Sequence, residues 1–153
     1  METSEMEQAM ADAAEAVLES MFFTSLTEEG AGAPCGSLHE PCIAARLSFR
    51  GNPPGRFGVR TPPETGRRIT ASFLGLGEDE PTEAEIGEVI CELANMLCGS
   101  VLSRLETYSR FELSGPELEP PEAACPKCFT ACRVLEMEEG PLGMWLDLEK
   151  GAG

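Results

Sequence analysis

A chain of 153 residues with 42% hydrophobic content has the size of one compact domain that can bury a core without disulfides or metal ions. Its 27 acidic residues outnumber its 11 basic residues, which gives a formal net charge of -16. Because this charge repels phosphate backbones and anionic headgroups, nucleic-acid and membrane-surface functions are disfavoured.

Targeting signals and cysteine content indicate the compartment. No run approaches the roughly 20 apolar residues of a bilayer span, and the N-terminus is acidic where a signal peptide would be basic. We therefore expect a cytoplasmic protein that does not bind membranes. Its 7 cysteines should stay reduced there, and their odd number argues against a complete disulfide framework.

The first part of the chain predicts a helix, a loop and a hairpin. Apolar residues recur at three- and four-residue spacing from residue 5 to about residue 26, which is typical of an amphipathic helix. Residues 27–41 are rich in Gly, Pro and short polar residues, and they predict a loop. Residues 42–50 and 56–60 alternate apolar and polar side chains around a Gly-Asn-Pro-Pro-Gly turn, which predicts two paired strands.

Two helices are predicted next. Pro62 and Pro63 open a short helix that Gly75 and Gly77 close, because proline is tolerated only in the first turn. A capping-box pattern at Thr82 and Glu85 precedes a second, long helix over residues 86–105.

The C-terminal part predicts mainly strands. Residues 108–113 predict a short strand, and the Pro- and Glu-rich segment 115–124 predicts an irregular loop that points outward. Residues 129–137 and 142–148 alternate again and predict a closing hairpin. The element order indicates an α+β class, with an antiparallel sheet packed against helices on one face. We expect a single domain over residues 1–153, in which an N-terminal helix and loop (1–41) precede a core (42–148).

The long helix has one apolar and one polar side. At about 100° per residue, most of its apolar side chains fall in one arc, which should face the core. Glu92 and Asn95 fall on the opposite side, one turn apart, and Glu88 and Gly99 lie in the same zone. A carboxylate and an amide are therefore expected to be displayed outward together.

This pair lacks a strong nucleophile, and no His, Ser or Lys base lies beside it in the sequence. It cannot act alone as a hydrolase. A carboxamide can nevertheless orient one water for in-line attack on a phosphoryl group that another protein holds with its own metal ion. The Glu92 carboxylate can pair with a partner's Lys or Arg, and Gly99 permits close approach of a partner surface.

The run from Glu88 to Gly99 resembles the signature helix of the CheC, CheX and FliY phosphatases, whose motif is Glu-x-x-Asn followed four residues later by a small residue. The surrounding sequence is also similar to this family. The strand, glycine turn and strand of residues 47–59, the Phe73-Leu74-Gly75 triplet and the final hairpin at residues 139–144 resemble the corresponding family segments. Since one motif copy is visible, the chain resembles the CheX type, which is often a homodimer.

The resemblance implies hydrolysis of the phospho-aspartate of a CheY-like response regulator in chemotaxis or two-component signalling. It gives Asn95 the role of positioning the attacking water and Glu92 that of pairing with the regulator's active-site lysine. Glu88 and Gly99 are expected to contact the partner, although Glu88 stands where relatives often carry Ser or Asp. The protein should need no cofactor of its own, because the partner's receiver domain holds Mg²⁺. The alternative is a non-catalytic module that docks a regulator or a flagellar component.

Two other features leave alternatives open. Cys125 and Cys128 have the spacing of half a zinc site, with Cys132 as a possible third ligand, or they are ordinary strand and turn cysteines; we expect no metal site. Cys91 and Cys98 share one flank of the long helix and are expected to pack. Trp145 is either an exposed aromatic at an interface or a residue covered by the N-terminal helix.

Overall fold

The structure is a computed structural model, and it describes residues 3–21, 42–51, 54–105, 111–119 and 131–148. Three helices lie in these ranges: α1 (Thr3–Met21), α2 (Pro63–Leu74) and α3 (Glu83–Leu105). The strands of the same ranges are β1 (Ile43–Arg50), β2 (Gly55–Thr61), β3 (Glu112–Leu113), β4 (Glu117–Leu118), β5 (Ala131–Met137) and β6 (Gly140–Leu148).

The described strands form one antiparallel sheet in the order β3-β1-β2-β6-β5, and β4 also pairs with β1. The β1–β2 hairpin aligns Leu47 with Phe57, and β2 continues onto β6 with Phe57 opposite Leu146. The β5–β6 hairpin closes more tightly than predicted, because Met137 already pairs with Gly140.

The helices pack on one face of this sheet. A single core cluster joins buried side chains of α1 and α3 to the inward side chains of β1, β2, β5 and β6, and Ile69 of α2 completes it. This arrangement confirms the predicted α+β class and the antiparallel sheet with helices on one face.

The predicted start and stop of α2 and the predicted capping box of α3 are confirmed. Gly75 adopts φ 65° directly after α2, a left-handed conformation that glycine reaches without a steric penalty. At the start of α3, the Thr82 amide donates to Glu85 Oε1 at 2.9 Å, and the Glu85 amide donates to Thr82 Oγ1 at 3.1 Å.

Helix α3 has the length and the apolar content of a possible membrane span. An 18-residue window within its 23 residues has a mean hydropathy of 1.4, which meets the length and composition of a bilayer span, contrary to our expectation from the sequence. However, its apolar side chains Val89, Ile90, Leu93 and Leu97 belong to the core cluster between sheet and helices. Core packing therefore accounts for the hydropathy of α3.

Residues 117–119 do not loop outward as predicted. Glu117 and Leu118 form β4, which pairs with Arg46 and Ala45 of β1. The Glu119 amide extends this pairing by donating to the Ala44 carbonyl at 2.9 Å. The prediction of a wholly irregular segment is therefore wrong for residues 117–119. Their own strand propensity is low, but the edge of β1 offers backbone groups with which they pair.

The interpretation of Trp145 as an exposed interface residue is wrong, and the described part of the N-terminal helix does not cover it. Its side chain is 1% exposed, so it does not form an exposed interface residue on this chain. It lies on the sheet face opposite Met144 and Leu146, whereas α1 packs with the core cluster to which those two residues belong. The indole instead lies on Gly58, where a Cβ atom would come within 2.4 Å of the ring.

The predicted extension of the first helix to about residue 26 falls outside the described residues.

Candidate functional site

The candidate site lies on the outer side of α3. Buried residues on the inner side, among them Leu93, Ala94 and Leu97, fix the helix against the core. On the outer side, Glu88 and Glu92 are exposed, and Asn95 and Gly99 are half-buried. Glu92 and Asn95 are three residues apart, a spacing that brings two Cβ atoms of a helix to about 5–6 Å. Asn95 is thus more buried than Glu92, which the helical wheel did not indicate.

The two polar side chains make no internal contacts that would occupy them. Within the described ranges, the side chain of neither Glu92 nor Asn95 takes part in a hydrogen bond or an ion pair. The carboxylate and the amide are both available to a ligand or to another protein.

A groove runs along α3 beside Glu88 and Glu92. Its volume is about 510 Å³. Residues of α3 form one wall, and the segment that contains β4 forms the other. The residues that line the groove are Glu83, Ala84, Gly87, Glu88, Cys91, Glu92, Pro116, Glu117 and Leu118.

The charged residues of this groove are all acidic, namely Glu83, Glu88, Glu92 and Glu117. Only Glu117 has a described cationic partner, since Arg46 Nε lies 3.4 Å from its Oε1. The groove should therefore attract a basic side chain. Cys91 lies between these carboxylates, and burial together with the nearby Glu117 raises the pKa of its thiol. The thiol stays protonated at neutral pH and is a weak nucleophile there.

Leu118 separates this groove from a second hollow of about 600 Å³, which lies between the starts of α2, α3 and β1. Leu118 lines both, and its side chain is 48% exposed. The second hollow carries an internal ion pair at its rim, because Arg67 donates two hydrogen bonds to Glu64 and lowers the pKa of that carboxyl. Arg67, the cation beside this second hollow, is therefore already paired with Glu64.

The sequence did not reveal the wall opposite Glu92. Our expectations placed Glu88, Glu92, Asn95 and Gly99 together on one helix, and the structure places them so, but they assigned no role to residues 116–118. The available signal was the Glu-Leu-Glu triplet at 117–119, whose alternation is that of a short strand.

The cysteine alternatives are partly outside the described ranges. Cys125 and Cys128 are not described, while Cys132 lies half-buried on β5. No group of three or more metal-ligating side chains occurs within the described part of the chain. Cys98 is fully buried in the core cluster, as the packing interpretation expected.

A match to a protein-family model shows to which family the chain belongs. The family model described as "Chemotaxis phosphatase CheX" matches residues 43–125, a span that includes β1 and the whole of α3. The chain belongs to the CheX family. The chain has no significant match among curated protein sequences.

Solved structures share the CheX fold over nearly the whole chain. A chain of the CheX-CheY-BeF3-Mg²⁺ complex from Borrelia burgdorferi is 16% identical with a TM-score of 0.72, over 94% of this chain and 97% of that one. Desulfovibrio desulfuricans CheX is 14% identical with a TM-score of 0.70, over 95% and 99%. Thermotoga maritima FliY is 14% identical with a TM-score of 0.62, over 97% and 91%. At such identities these likenesses show the fold of the CheX family and nothing finer.

Proposed function

We propose that this CheX family member hydrolyses the phospho-aspartate of a CheY-like response regulator. The observation that carries the proposal is the pair formed by Glu92 and Asn95. Both lie on the outer side of a helix that the core holds rigidly, and both are unengaged among the described residues. Membership of a family described as chemotaxis phosphatases supports the same activity.

Asn95 is the catalytic amide in this proposal. Its carbonyl oxygen accepts a hydrogen bond from the attacking water and its NH₂ group donates one to the water oxygen or to the phosphoryl group, which fixes the angle of attack. The water oxygen forms a bond to phosphorus as the bond between phosphorus and the aspartyl oxygen breaks. The products are inorganic phosphate and the free carboxylate; one proton of the water stays on the oxygen now bound to phosphorus, and the other passes to another phosphate oxygen or to solvent. Partial burial of Asn95 limits its rotamers and preorganises it.

Glu92 anchors the partner. Its exposed carboxylate is placed to pair with the active-site lysine of the receiver domain, which would otherwise stabilise the aspartyl phosphate. Glu88, one turn earlier, adds a second negative charge beside that lysine, and the half-buried Gly99 leaves room for the partner's backbone.

The metal ion belongs to the partner in this proposal. The neighbour from Borrelia burgdorferi was solved as a CheX-CheY-BeF3-Mg²⁺ complex, which supports a Mg²⁺-loaded receiver domain as the ligand of the present chain. We further propose that the protein acts in the cytoplasm as a single domain over residues 1–153, and that it forms a homodimer.

Substitution of Asn95 tests the activity. A panel of CheY-like receiver domains from the same genome is phosphorylated, and phosphate loss is followed with wild type and with Asn95→Ala. We expect wild type to accelerate the loss for at least one receiver, and Asn95→Ala to lower kcat about 100-fold, as removal of one positioned polar group commonly does. Ser103→Ala is the matched control, because Ser103 is an exposed residue of the same helix outside the site.

The outcome separates catalysis from docking. If Asn95→Ala turns over like Ser103→Ala, the assignment of Asn95 is wrong. If wild type binds a receiver without accelerating phosphate loss, the chain is the non-catalytic docking module of our alternative.

A further inference from the structure

Strands β3 and β4 form one edge strand that is interrupted by a bulge. In β3, Leu113 is opposite Phe49, and in β4, Leu118 is opposite Ala45. Five steps along the edge segment therefore correspond to four steps along β1. The extra residue lies in the stretch Ser114 to Pro116, between the bond from the Ser114 amide to the Ser48 carbonyl and the β4 pairs. Pro116 cannot donate to a ladder, which makes this stretch a favourable place for a bulge.

The bulge changes the direction of Leu118. Residues an odd number of steps apart point to opposite faces of a regular strand, so Leu113 and Leu118 would diverge. With one residue inserted, both are opposite buried residues of β1 and both point to the helical face. Leu113 Cδ2 lies 4.0 Å from the position of a Cβ on Gly99, and Leu118 Cδ1 lies 2.7 Å from that on Gly87. The edge strand thus follows α3 along the side that carries Glu92.

Leu118 is fixed in place although it is exposed. Its neighbours hold β4 to the sheet, because Arg46 pairs with Glu117 at 3.4 Å and with Glu119 at 3.7 Å. The two exposed large apolar side chains of the described ranges are Leu118, at 48%, and Leu74, at 40%. Of these two, only Leu118 lines the groove of Glu88 and Glu92. Leu118 therefore forms an exposed apolar lip beside the carboxylates of this groove.

We infer that the edge strand 112–119 forms the second wall of the receiver-docking site, with Leu118 as its apolar anchor. The inference rests on the proposed function and specifies how the partner is recognised. The occupant is a CheY-like receiver domain that presents a basic side chain next to an aliphatic one. The acidic groove takes the basic group, and Leu118 packs on the aliphatic group. Continuity of the groove with Glu92, together with its uniformly acidic charge, indicates this occupant.

Two substitutions test the anchor by different routes. Leu118→Ser removes the apolar lip. Gly87→Ala keeps the lip but displaces it, since the new Cβ would lie 2.7 Å from Leu118 Cδ1. Alanine also raises the helix propensity of that position, so unfolding does not explain a loss of binding. Leu74→Ser is the matched control, because it removes a similarly exposed leucine outside the groove.

The dissociation constant is measured by calorimetry with the panel of receiver domains in their beryllofluoride-Mg²⁺ forms, and the tightest binder is carried forward. We expect Leu118→Ser and Gly87→Ala to weaken its binding about fivefold or more, in line with loss of a half-exposed leucine contact. Turnover at a saturating concentration of the receiver domain should stay within about twofold of wild type. A contact that stabilises the bound ground state and the transition state equally contributes to binding and not to turnover. Leu74→Ser should bind like wild type.

Asn95→Ala in the same experiment keeps the two proposals apart. It should lower turnover and leave the dissociation constant unchanged. If it does so while Leu118→Ser and Gly87→Ala bind like wild type, the docking inference is wrong and the proposed function stands. If Asn95→Ala turns over normally while the two groove variants bind weakly, the docking surface stands and the catalytic role is wrong. If no receiver of the panel binds wild type, both are wrong.

Discussion

The thiol of Cys98 is buried within α3, and this burial raises its pKa from 9.0 to about 12. In the unfolded chain the same thiol ionises near its ordinary pKa. Above pH 9 the unfolded state therefore loses a proton that the native state keeps, and ionisation favours unfolding. The contribution of the buried, neutral thiol is complete below pH 9 and is lost as the pH rises towards 12.

We expect the stability advantage of wild type over Cys98→Ala to fall by about 1 kcal/mol between pH 8 and pH 10. Urea unfolding of both proteins at the two pH values measures this advantage. The alanine variant removes the titrating group, so the other ionisable residues cancel in the difference. An advantage that is equal at both pH values would mean that Cys98 ionises in the native state as easily as in the unfolded chain.

Single residues were predictable from the sequence where a helical pattern determines their surroundings. The spacing of Glu88, Glu92, Asn95 and Gly99 was sufficient to place them on the outer side of α3, but their roles came from resemblance to a family. The half-burial of Asn95 and the burial of Trp145 were not predictable. Both depend on residues that are distant in sequence, as in the contact of Trp145 with Gly58.

Among the elements, the edge strand at 112–119 was the one that sequence patterns described least well. Prolines and glutamates lower the strand propensity of this segment, and β4 contains only Glu117 and Leu118. It exists because β1 offers free backbone groups and Arg46 offers a cation to Glu117 and Glu119. Such long-range partners are not visible in local periodicity, whereas the strong patterns of α2, α3 and the hairpins were read correctly.

The capping box of α3 is an element-level feature with a measurable contribution to stability. Thr82 Oγ1 accepts from the Glu85 amide, and this bond satisfies one of the free donors of the first turn. We expect Thr82→Ala to lower the free energy of unfolding by about 1 kcal/mol in urea titrations. Thr82→Ser keeps the hydroxyl and should lose at most about half as much. Equal losses in the two variants would show that the methyl group, and not the hydrogen bond, stabilises this helix end.

At the scale of the whole molecule, two of the described surfaces that carry exposed acidic side chains are the groove and the outer side of α1. The groove with Glu88 and Glu92 lies at the edge of the sheet formed by β4 and β1. Helix α1 packs against α3 and β5, at the other edge, and exposes Glu15 and Glu19. The two edges of a sheet in this strand order are about 19 Å apart. This separation exceeds the screening length of about 8 Å at physiological ionic strength.

This separation distinguishes a local contact from an effect of the net charge of -16. The double variants Glu88→Gln/Glu92→Gln and Glu15→Gln/Glu19→Gln each remove two exposed carboxylates without changing side-chain size. At 0.15 M salt we expect the first to weaken binding of the beryllofluoride-Mg²⁺ receiver about tenfold, the sum of two partly exposed ion pairs. The second should stay within about twofold of wild type.

The salt dependence of the same equilibrium completes the test. Since the Glu88 and Glu92 pairs are screened as ionic strength rises, the tenfold difference should shrink towards 0.5 M salt, while the α1 variant continues to follow wild type. Equal weakening in the two double variants would mean that the overall charge governs association. The acidic groove would then have no specific role in recognition.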